Sequence, residues 1–156
     1  MLNMKSLRES LLDDDLVEKT DKLIKDEINS FLKENFKGAS SCKISRTPNK
    51  DGKYEVSSTK DIEVKNKKIT SLTNGTFVWT IVNGFFIVRF CNSLKSLEGA
   101  PKEIGRNFYC SGCDSLTSLE GAPKEIGGNF ECTDCKTKFT EEDVRKVSNV
   151  ERNILC

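Results

Sequence analysis

The sequence predicts an α+β fold: a short solenoid with coils of about 22 residues and one parallel sheet of about five short strands. The main observation is a near-duplication, because Ser93–Cys113 reads SLKSLEGAPKEIGRNFYCSGC and Ser115–Cys135 reads SLTSLEGAPKEIGGNFECTDC. Equivalent residues stand 22 positions apart, and a fixed period of this length is typical of repeat proteins. The second observation is that an apolar pair, with one residue between its members, recurs in each copy.

These apolar pairs predict the strands of the sheet. Residues two apart lie on the same face of a strand, so both members of each pair should point inward. Stacked coils would place the strands side by side, and each coil would bury its apolar face against its neighbours. The five pairs are Ile62/Val64, Phe86/Val88, Phe108/Cys110, Phe130/Cys132 and Ile154/Cys156.

An amphipathic helix is predicted before the repeats. Apolar residues recur at helical spacing from Leu16 to Phe36, and Lys37-Gly38 is a stop signal. We expect this apolar stripe to cover the open end of the coil stack, because exposed stripes of that size are uncommon. Binding to another protein is the alternative.

A hairpin is predicted to complete the N-terminal cap. Residues 42–45 and 54–57 have strand character and flank turn formers at 48–52. Residues 16–60 would then cap a repeat domain of residues 61–156, and the two would form one globular unit.

A second helix and a last strand are predicted to close the C-terminal end. Phe139–Val147 replaces the EGAPKE segment of the preceding coils, and Thr140 is the expected N-cap. Acidic residues fill its first turn and basic residues its last, which suits the helix dipole. The strand Asn153–Cys156 would follow.

Asn83-Gly84 is a hairpin signal when it is read alone. In the repeat alignment it coincides with Gly105-Arg106 and with Gly127-Gly128, so we expect a coil corner here instead. The glycines at these corners are expected to supply positive φ angles.

The spacing within a coil resembles a leucine-rich repeat, particularly its cysteine-containing variety. The resemblance covers about residues 60–156, although residues 120–125 carry Gly and Pro where many such families have a helix. It implies a strand followed by a return arm with buried leucines. The fullest match is Phe108-x-Cys110-x-x-Cys113-x-x-Leu116-x-x-Leu119.

Three phrases resemble uncharacterised repeat proteins of gut bacteriophages, including crAss-like phages and their Bacteroidales hosts. They are SLTSLEGAPKEIGGNF, FTEEDVRKVSNV and the opening MKSLRESLLDDDL. The resemblance implies a phage-encoded accessory protein, located in the host cytoplasm during infection or in the virion. It implies no reaction.

Residues 1–15 are predicted to form a leader. One interpretation is a mobile segment whose acidic run Asp13–Asp15 begins a helix, where carboxylates suit the positive end of the dipole. The other is a short docking or packaging tag, which the likeness to openings of phage proteins suggests.

Composition argues against several function classes. Lys plus Arg is 25 and Asp plus Glu is 24, so the charge balance gives no case for a nucleic-acid partner. No apolar run reaches the length of a membrane span, so no membrane partner is expected. The chain has no His, which excludes His-dependent triads and His metal sites. We therefore expect a protein that is not an enzyme and has no cofactor.

The seven cysteines allow several interpretations. Cys110, Cys113, Cys132 and Cys135 form two CxxC pairs whose spacing fits a four-cysteine zinc site. Duplication of a coil with two cysteines gives the same spacing without a metal, and Val88 occupies the first position one coil earlier.

We favour a cysteine ladder over zinc. The inward cysteines would act as small hydrophobic residues, and those at 91, 113 and 135 as a polar ladder facing the coil corner. The chain shows no secretory signal, so free thiols in a reducing compartment are expected, with disulfides as a further alternative.

The outward strand positions predict a protein-binding face, since repeat proteins use extended faces of this kind. The row Ile87–Tyr109–Glu131, with Arg89 beside it, has the mixed composition of an interface. The alternative is a face that is solvated or packed by the cap. The candidate residues are Phe85, Ile87, Arg89, Asn107, Tyr109, Ser111, Asn129, Glu131 and Thr133.

Two function classes follow. The first is a non-enzymatic protein-binding repeat module that acts on a host or phage protein. The second is a structural or packaged component of the phage virion.

Overall fold

Each coil supplies two short strands, one to each of two sheets, so that the repeats wind into a small β-solenoid of about 4 turns. The computed structural model describes residues 14–156. The predicted leader lies outside the described residues, apart from Asp14 and Asp15, which begin the first helix. The short repeat solenoid predicted from the sequence is confirmed.

Two helices and twelve strands make up the described part of the chain. In chain order they are α1 (Asp14–Asn35), β1 (Phe36–Lys37), a 3₁₀ turn (Ala39–Ser41), β2 (Cys42–Ile44), β3 (Tyr54–Ser58), β4 (Ile62–Val64), β5 (Phe77–Val82), β6 (Phe86–Ile87), β7 (Glu103–Ile104), β8 (Phe108–Tyr109), β9 (Glu125–Ile126), β10 (Phe130–Glu131), α2 (Glu141–Val147), β11 (Asn149–Val150) and β12 (Ile154–Leu155).

The first sheet has the order β1-β4-β6-β8-β10-β12, and it contains the five strands that the apolar pairs predict. Its register follows the repeat, since Phe108 pairs with Phe86 on one side and with Phe130 on the other. The neighbours are parallel except for β1 and β4, which are antiparallel. The first sheet therefore has one strand more than the sequence indicates.

The second sheet, β11-β9-β7-β5-β3-β2, corrects the prediction of a single sheet. Strands such as β7 and β9 have two residues each, only one of which is buried, so they carry no apolar alternation. The predicted hairpin is present, because β2 and β3 are antiparallel. However, β3 also pairs in parallel with β5, so the hairpin extends the second sheet.

The core lies between the two sheets and is built from equivalent residues of successive coils. The Phe108 ring stacks on that of Phe86, with centroids 6.2 Å apart, and meets that of Phe130 edge to face, with centroids 5.1 Å apart. Ile104 and Ile126 face them from the second sheet and are buried. Each coil therefore stabilises the next through direct contact, as a repeat architecture requires.

The C-terminal half of α1 covers the open end of the solenoid, which confirms that prediction for half of the helix. Ile28 and Leu32 are buried, and the Phe36 ring that follows packs against Trp79 at 5.5 Å. Leu23 is 70% exposed and Leu16 is also exposed. In the N-terminal half of the apolar stripe, Leu16 and Leu23 therefore stay outside the core, whereas Ile24 packs partly against it.

The predicted C-terminal helix and strand are confirmed. Thr140 caps α2: its hydroxyl accepts the Asp143 backbone N–H at 3.2 Å, and the Asp143 carboxylate accepts the Thr140 backbone N–H at 3.0 Å. Val144 is buried against the last coil. After α2 the chain adds β11 to the second sheet and β12 to the first.

The corner glycines serve close packing and do not supply positive φ as expected. Gly84, Gly105 and Gly127 all lie outside the positive-φ region. A Cβ on Gly105 would lie 2.5 Å from the Asn83 carbonyl oxygen, and one on Gly127 would lie 2.7 Å from the Gly105 carbonyl oxygen. The coils approach too closely at this corner for any side chain. Asn83-Gly84 joins strands of different sheets, so the hairpin alternative is wrong.

Candidate functional site

The row predicted across the first sheet is present. Ile87 pairs with Tyr109 and Tyr109 with Glu131, and the row continues to Glu63 on one side and Leu155 on the other. The alternation of strand residues places these side chains outward, opposite the buried phenylalanines. The outward side chains of neighbouring coils therefore form one continuous row across the first sheet.

Arg89 reaches across the next two coils on this surface. Its guanidinium lies 4.3 Å from the centroid of the Tyr109 ring and 3.3 Å from Glu131 Oε1. The Ser111 hydroxyl donates a second hydrogen bond to the same carboxylate oxygen at 3.2 Å. Because both charged groups are only half-buried, the ion pair adds at most about 1 kcal/mol to stability. Its main effect is to hold the arginine and the tyrosine in one arrangement.

Asn107 and Asn129 form an asparagine ladder, in which the side-chain oxygen of each residue accepts a backbone N–H of the next coil. The Asn129 N–H donates to Asn107 Oδ1 at 2.9 Å, and the Asn153 N–H donates to Asn129 Oδ1 at 3.1 Å. Asp61 does the same for the N–H of Phe85 at 2.8 Å. The two asparagines predicted as contact residues therefore have a structural role.

Phe85 occupies the ladder position of its own coil but has no side-chain oxygen with which to continue the ladder. Its ring lies 6.0 Å from that of Tyr109, and the Asn107 amide donates to the Tyr109 hydroxyl at 2.7 Å. The Arg106 guanidinium lies over the Phe85 ring, 5.5 Å from its centroid. An aromatic pair flanked by Arg89 and Arg106 thus forms the centre of the surface.

Ser111 and Thr133 are less available than predicted. Ser111 is 6% exposed, and the Thr133 hydroxyl donates to the Ser111 hydroxyl at 3.3 Å. Of the nine predicted residues only Ser111 is buried, and we keep Phe85, Ile87, Arg89, Tyr109 and Glu131 as the candidate contact residues.

Phe90 was missed by the sequence analysis. It is 62% exposed, and its φ angle of 57° lies in the left-handed region. Its equivalents one and two coils later are Gly112 and Asp134, with φ angles of 67° and 59°. Gly and Asp tolerate this conformation, whereas for other residues it costs roughly 1–2 kcal/mol. The repeat alignment contained a signal for this residue, because Phe90 stands at a position where the next two coils have the turn-forming residues Gly112 and Asp134.

We call Phe85, Ile87, Arg89, Phe90, Tyr109 and Glu131 the contact face.

Five of the seven cysteines lie in the core, whereas Cys42 is half-buried and Cys156 is exposed. Cys91, Cys110 and Cys113 are fully buried, and Cys135 is nearly so. The Cys113 thiol donates to the Val88 carbonyl at 3.3 Å, and the Cys135 thiol donates to the Cys110 carbonyl at 3.2 Å. The second cysteine of each CxxC pair therefore forms a hydrogen-bonded ladder at the coil corner.

Cys132 and Cys156 are joined by a disulfide, with their Cα atoms 4.6 Å apart. This differs from the expectation of free thiols at both positions. In-register stacking brings the two residues together, although Cys110, which stacks on Cys132 in the same register, is a free thiol. The remaining five cysteines, Cys42, Cys91, Cys110, Cys113 and Cys135, are free thiols.

The thiols that a four-cysteine zinc site would need are engaged otherwise. Cys132 is in the disulfide, and Cys113 and Cys135 donate to carbonyls. Burial raises the pKa of the Cys110 thiol well above its ordinary value, whereas a hydrogen bond from the Cys91 thiol lowers the pKa of Cys113. Within residues 14–156, no group of three or more His, Cys, Asp or Glu side chains is placed to hold a metal ion.

No family model, curated protein or solved structure matches this chain. Neither helix of residues 14–156 has the length and apolar character needed to cross a membrane. The candidate site is therefore defined by its own geometry: an aromatic and arginine surface on the first sheet, with Phe90 at its edge.

Proposed function

We propose that this protein is a non-enzymatic protein-binding repeat module and that the contact face is its binding surface. The observation that carries the proposal is Phe90, a large aromatic side chain that is held in a left-handed backbone conformation and left largely exposed. Strain of this kind is often found at functional positions.

No contact in the described part of the chain offsets the conformational strain at Phe90. Its ring lies beside Gly112 but stays exposed, so it gains little from burial. At the same corner, the following two coils use Gly112 and Asp134, which the conformation favours. Contact with a partner would explain an aromatic residue at this point, because a few large side chains, often aromatic, contribute most of the binding energy at interfaces.

The rest of the contact face suits the same role. Tyr and Arg are enriched among the residues that dominate binding energy at interfaces. Here Tyr109 is held by the Asn107 amide, and Arg89 is held by Glu131. Because these side chains are already ordered, binding would cost little further side-chain entropy.

We further propose that the module is a phage-encoded, leucine-rich-repeat-like accessory protein that binds a host or phage protein in the host cytoplasm during infection. The resemblance of the coil phrases to gut phage proteins supports the origin. The burial of Leu94, Leu97, Leu116 and Leu119, the leucines of the repeat pattern, supports the relation to leucine-rich repeats. The alternative role, a component of the virion, remains the second proposal.

The test is a tagged pull-down from infected cells with the wild type, Phe90→Gly and an Arg89→Ala/Tyr109→Ala double variant. Glycine removes the ring and accepts the φ angle of position 90, so the fold is retained. Leu23→Ser is the matched control, because Leu23 is also largely exposed, at 70% against 62% for Phe90, but lies on α1. We expect a specific partner that Leu23→Ser retains and both face variants lose.

Two results would contradict the proposal. A partner retained by both face variants would move the binding site away from the contact face. If purified particles contained the protein in stoichiometric amounts and no partner were captured, the virion role would replace the adaptor role.

A further inference from the structure

A pocket of about 300 Å³ lies at one end of the contact face, where the chain enters the strands of the first sheet. Phe85 belongs to both the contact face and the pocket, so the two are continuous. The pocket is lined by Phe85, Gly105, Arg106, Asn107, Gly127, Gly128 and Arg152.

The pocket arises from an alternation of glycine and arginine at one corner of the repeat. Gly84, Arg106, Gly128 and Arg152 are equivalent in successive coils, and the N–H of each arginine donates to the carbonyl of the glycine before it, at 3.3 and 3.2 Å. Coils stack at strand spacing, so the two arginine backbones are about 10 Å apart. Gly128 stands between them without a side chain, because an added Cβ would collide with Asn107 Oδ1 and lie 2.7 Å from the Arg106 carbonyl carbon.

The two arginines carry charge that the fold leaves uncompensated. Within residues 14–156 neither Arg106 nor Arg152 forms an ion pair with a carboxylate. The other cations of the first sheet's outer surface are paired, since Lys37 lies 3.1 Å from Glu63 and Arg89 lies 3.3 Å from Glu131. A ligand of this surface would therefore meet net positive charge at the pocket.

The donors of the pocket fit a carboxylate better than a phosphate. Phosphate sites commonly use a cradle of free backbone N–H groups. The N–H groups of Gly105 and Gly127 already donate to the Val82 and Ile104 carbonyls, at 2.8 and 2.9 Å. The guanidinium groups remain as donors, and their planar geometry matches the two oxygens of a carboxylate.

We propose that this pocket binds the carboxylate of an Asp or Glu side chain in an extended segment of the protein partner, between Arg106 and Arg152. The inference rests on the proposed function and adds the chemistry of the partner. The Phe85 ring at the pocket wall favours an apolar residue beside the acidic one. Such a segment would cross the contact face from the pocket towards Phe90, a distance of about 16 Å along the strands.

The test is selection of a random dodecapeptide display library on the immobilised full-length chain. The selected peptides are then measured by fluorescence anisotropy against the wild type, Phe90→Gly and Arg106→Gln/Arg152→Gln. The matched control is Arg145→Gln/Lys146→Gln, which removes the same charge from α2. We expect selected peptides to share an Asp or Glu next to an apolar residue.

The arginine pair variant should raise the Kd of these peptides at least tenfold, and the α2 control should leave it unchanged. Replacing the shared Asp or Glu by Asn or Gln should have the same effect as the arginine variant. Sodium acetate should compete with the peptide more strongly than sodium chloride at equal ionic strength, because chloride only screens charge. Stronger competition by inorganic phosphate than by acetate would overturn the carboxylate assignment.

The remaining outcomes separate the two proposals. Peptides that need Phe90, lack a shared acidic residue and bind the arginine variant normally would overturn the pocket inference and leave the proposed function standing. Selection of no peptide that depends on either Phe90 or the arginines would overturn both.

Discussion

The ring of Phe90 lies directly against the backbone of Gly112, its equivalent in the next coil, and an added Cβ on Gly112 would lie 2.5 Å from Phe90 Cδ1. Both residues have positive φ angles, of 57° and 67°. The Phe90 ring therefore leaves room only for glycine at position 112 of the next coil. The glycine is needed both for its conformation and for the space that the exposed ring occupies.

Gly112→Ala should lower the free energy of unfolding by more than the roughly 1–2 kcal/mol expected from the left-handed conformation alone. The excess comes from displacement of the Phe90 ring. In a double-mutant cycle with Phe90→Ala, the two changes should couple by about 0.5 kcal/mol or more, as residues in contact do. Urea denaturation of the four proteins measures this. Additivity of the two changes would show that the ring moves away without cost.

A second prediction concerns Phe90 alone. Phe90→Gly should be more stable than Phe90→Ala by about 1 kcal/mol, because only glycine accepts the left-handed conformation without strain. Thermal unfolding of both variants measures the difference.

Tyr109 is the matched control position, because it lies in the extended strand β8. There the order should reverse, with Ala more stable than Gly by roughly 0.5–1 kcal/mol. If Ala were the more stable residue at position 90 as well, Phe90 would not be strained, and the main observation behind the proposed function would fall.

The first sheet could be predicted from the sequence because each of its central strands carries an inward apolar pair at the repeat period. The period alone also fixed the row Ile87–Tyr109–Glu131, since residues at equivalent positions of stacked coils must be neighbours. The second sheet could not be predicted in the same way. Ile104 and Ile126 are the only buried residues of their two-residue strands, and a single apolar residue cannot show the alternation that identifies a strand.

The contact face could be predicted only in part, and the errors have two physical causes. Asn107 and Asn129 have the polarity of surface residues, but the partner of each side chain is a backbone N–H of the next coil, which local sequence does not reveal. Phe90 was missed because the alternation of side chains between two faces predicts direction only for residues within a strand. It lies just past the strand, where the backbone conformation decides the direction of the side chain.

The asparagine ladder gives a third prediction. Asn129→Ala should lower the free energy of unfolding by about 0.5–1.5 kcal/mol, because it removes the acceptor of the Asn153 backbone N–H. Asn129→Asp should cost less, since a carboxylate oxygen can accept the same hydrogen bond, as Asp61 does for Phe85. Denaturant unfolding at neutral pH compares the two variants. Equal losses would mean that the side-chain oxygen contributes nothing to coil stacking.

A fourth prediction concerns the state of the seven cysteines. Protein purified without reductant, unfolded in guanidinium and alkylated should take up five labels, and seven after reduction, because Cys132 and Cys156 are paired. Intact mass measures the count, and peptide mapping should place the two extra labels on Cys132 and Cys156. Seven labels without reduction would contradict the disulfide and restore the expectation of free thiols at both positions.

In the folded protein, alkylation at pH 8 should be slow at every free thiol. Cys91, Cys110, Cys113 and Cys135 are buried, so the reagent reaches them only when the coils open. Cys42 is more accessible, but burial raises its pKa to about 11. At pH 8 only about 0.1% of this thiol is then thiolate, the reactive form. Its rate should rise about tenfold for each pH unit up to pH 10, whereas a rate that levels off near pH 9 would show an ordinary, solvated thiol.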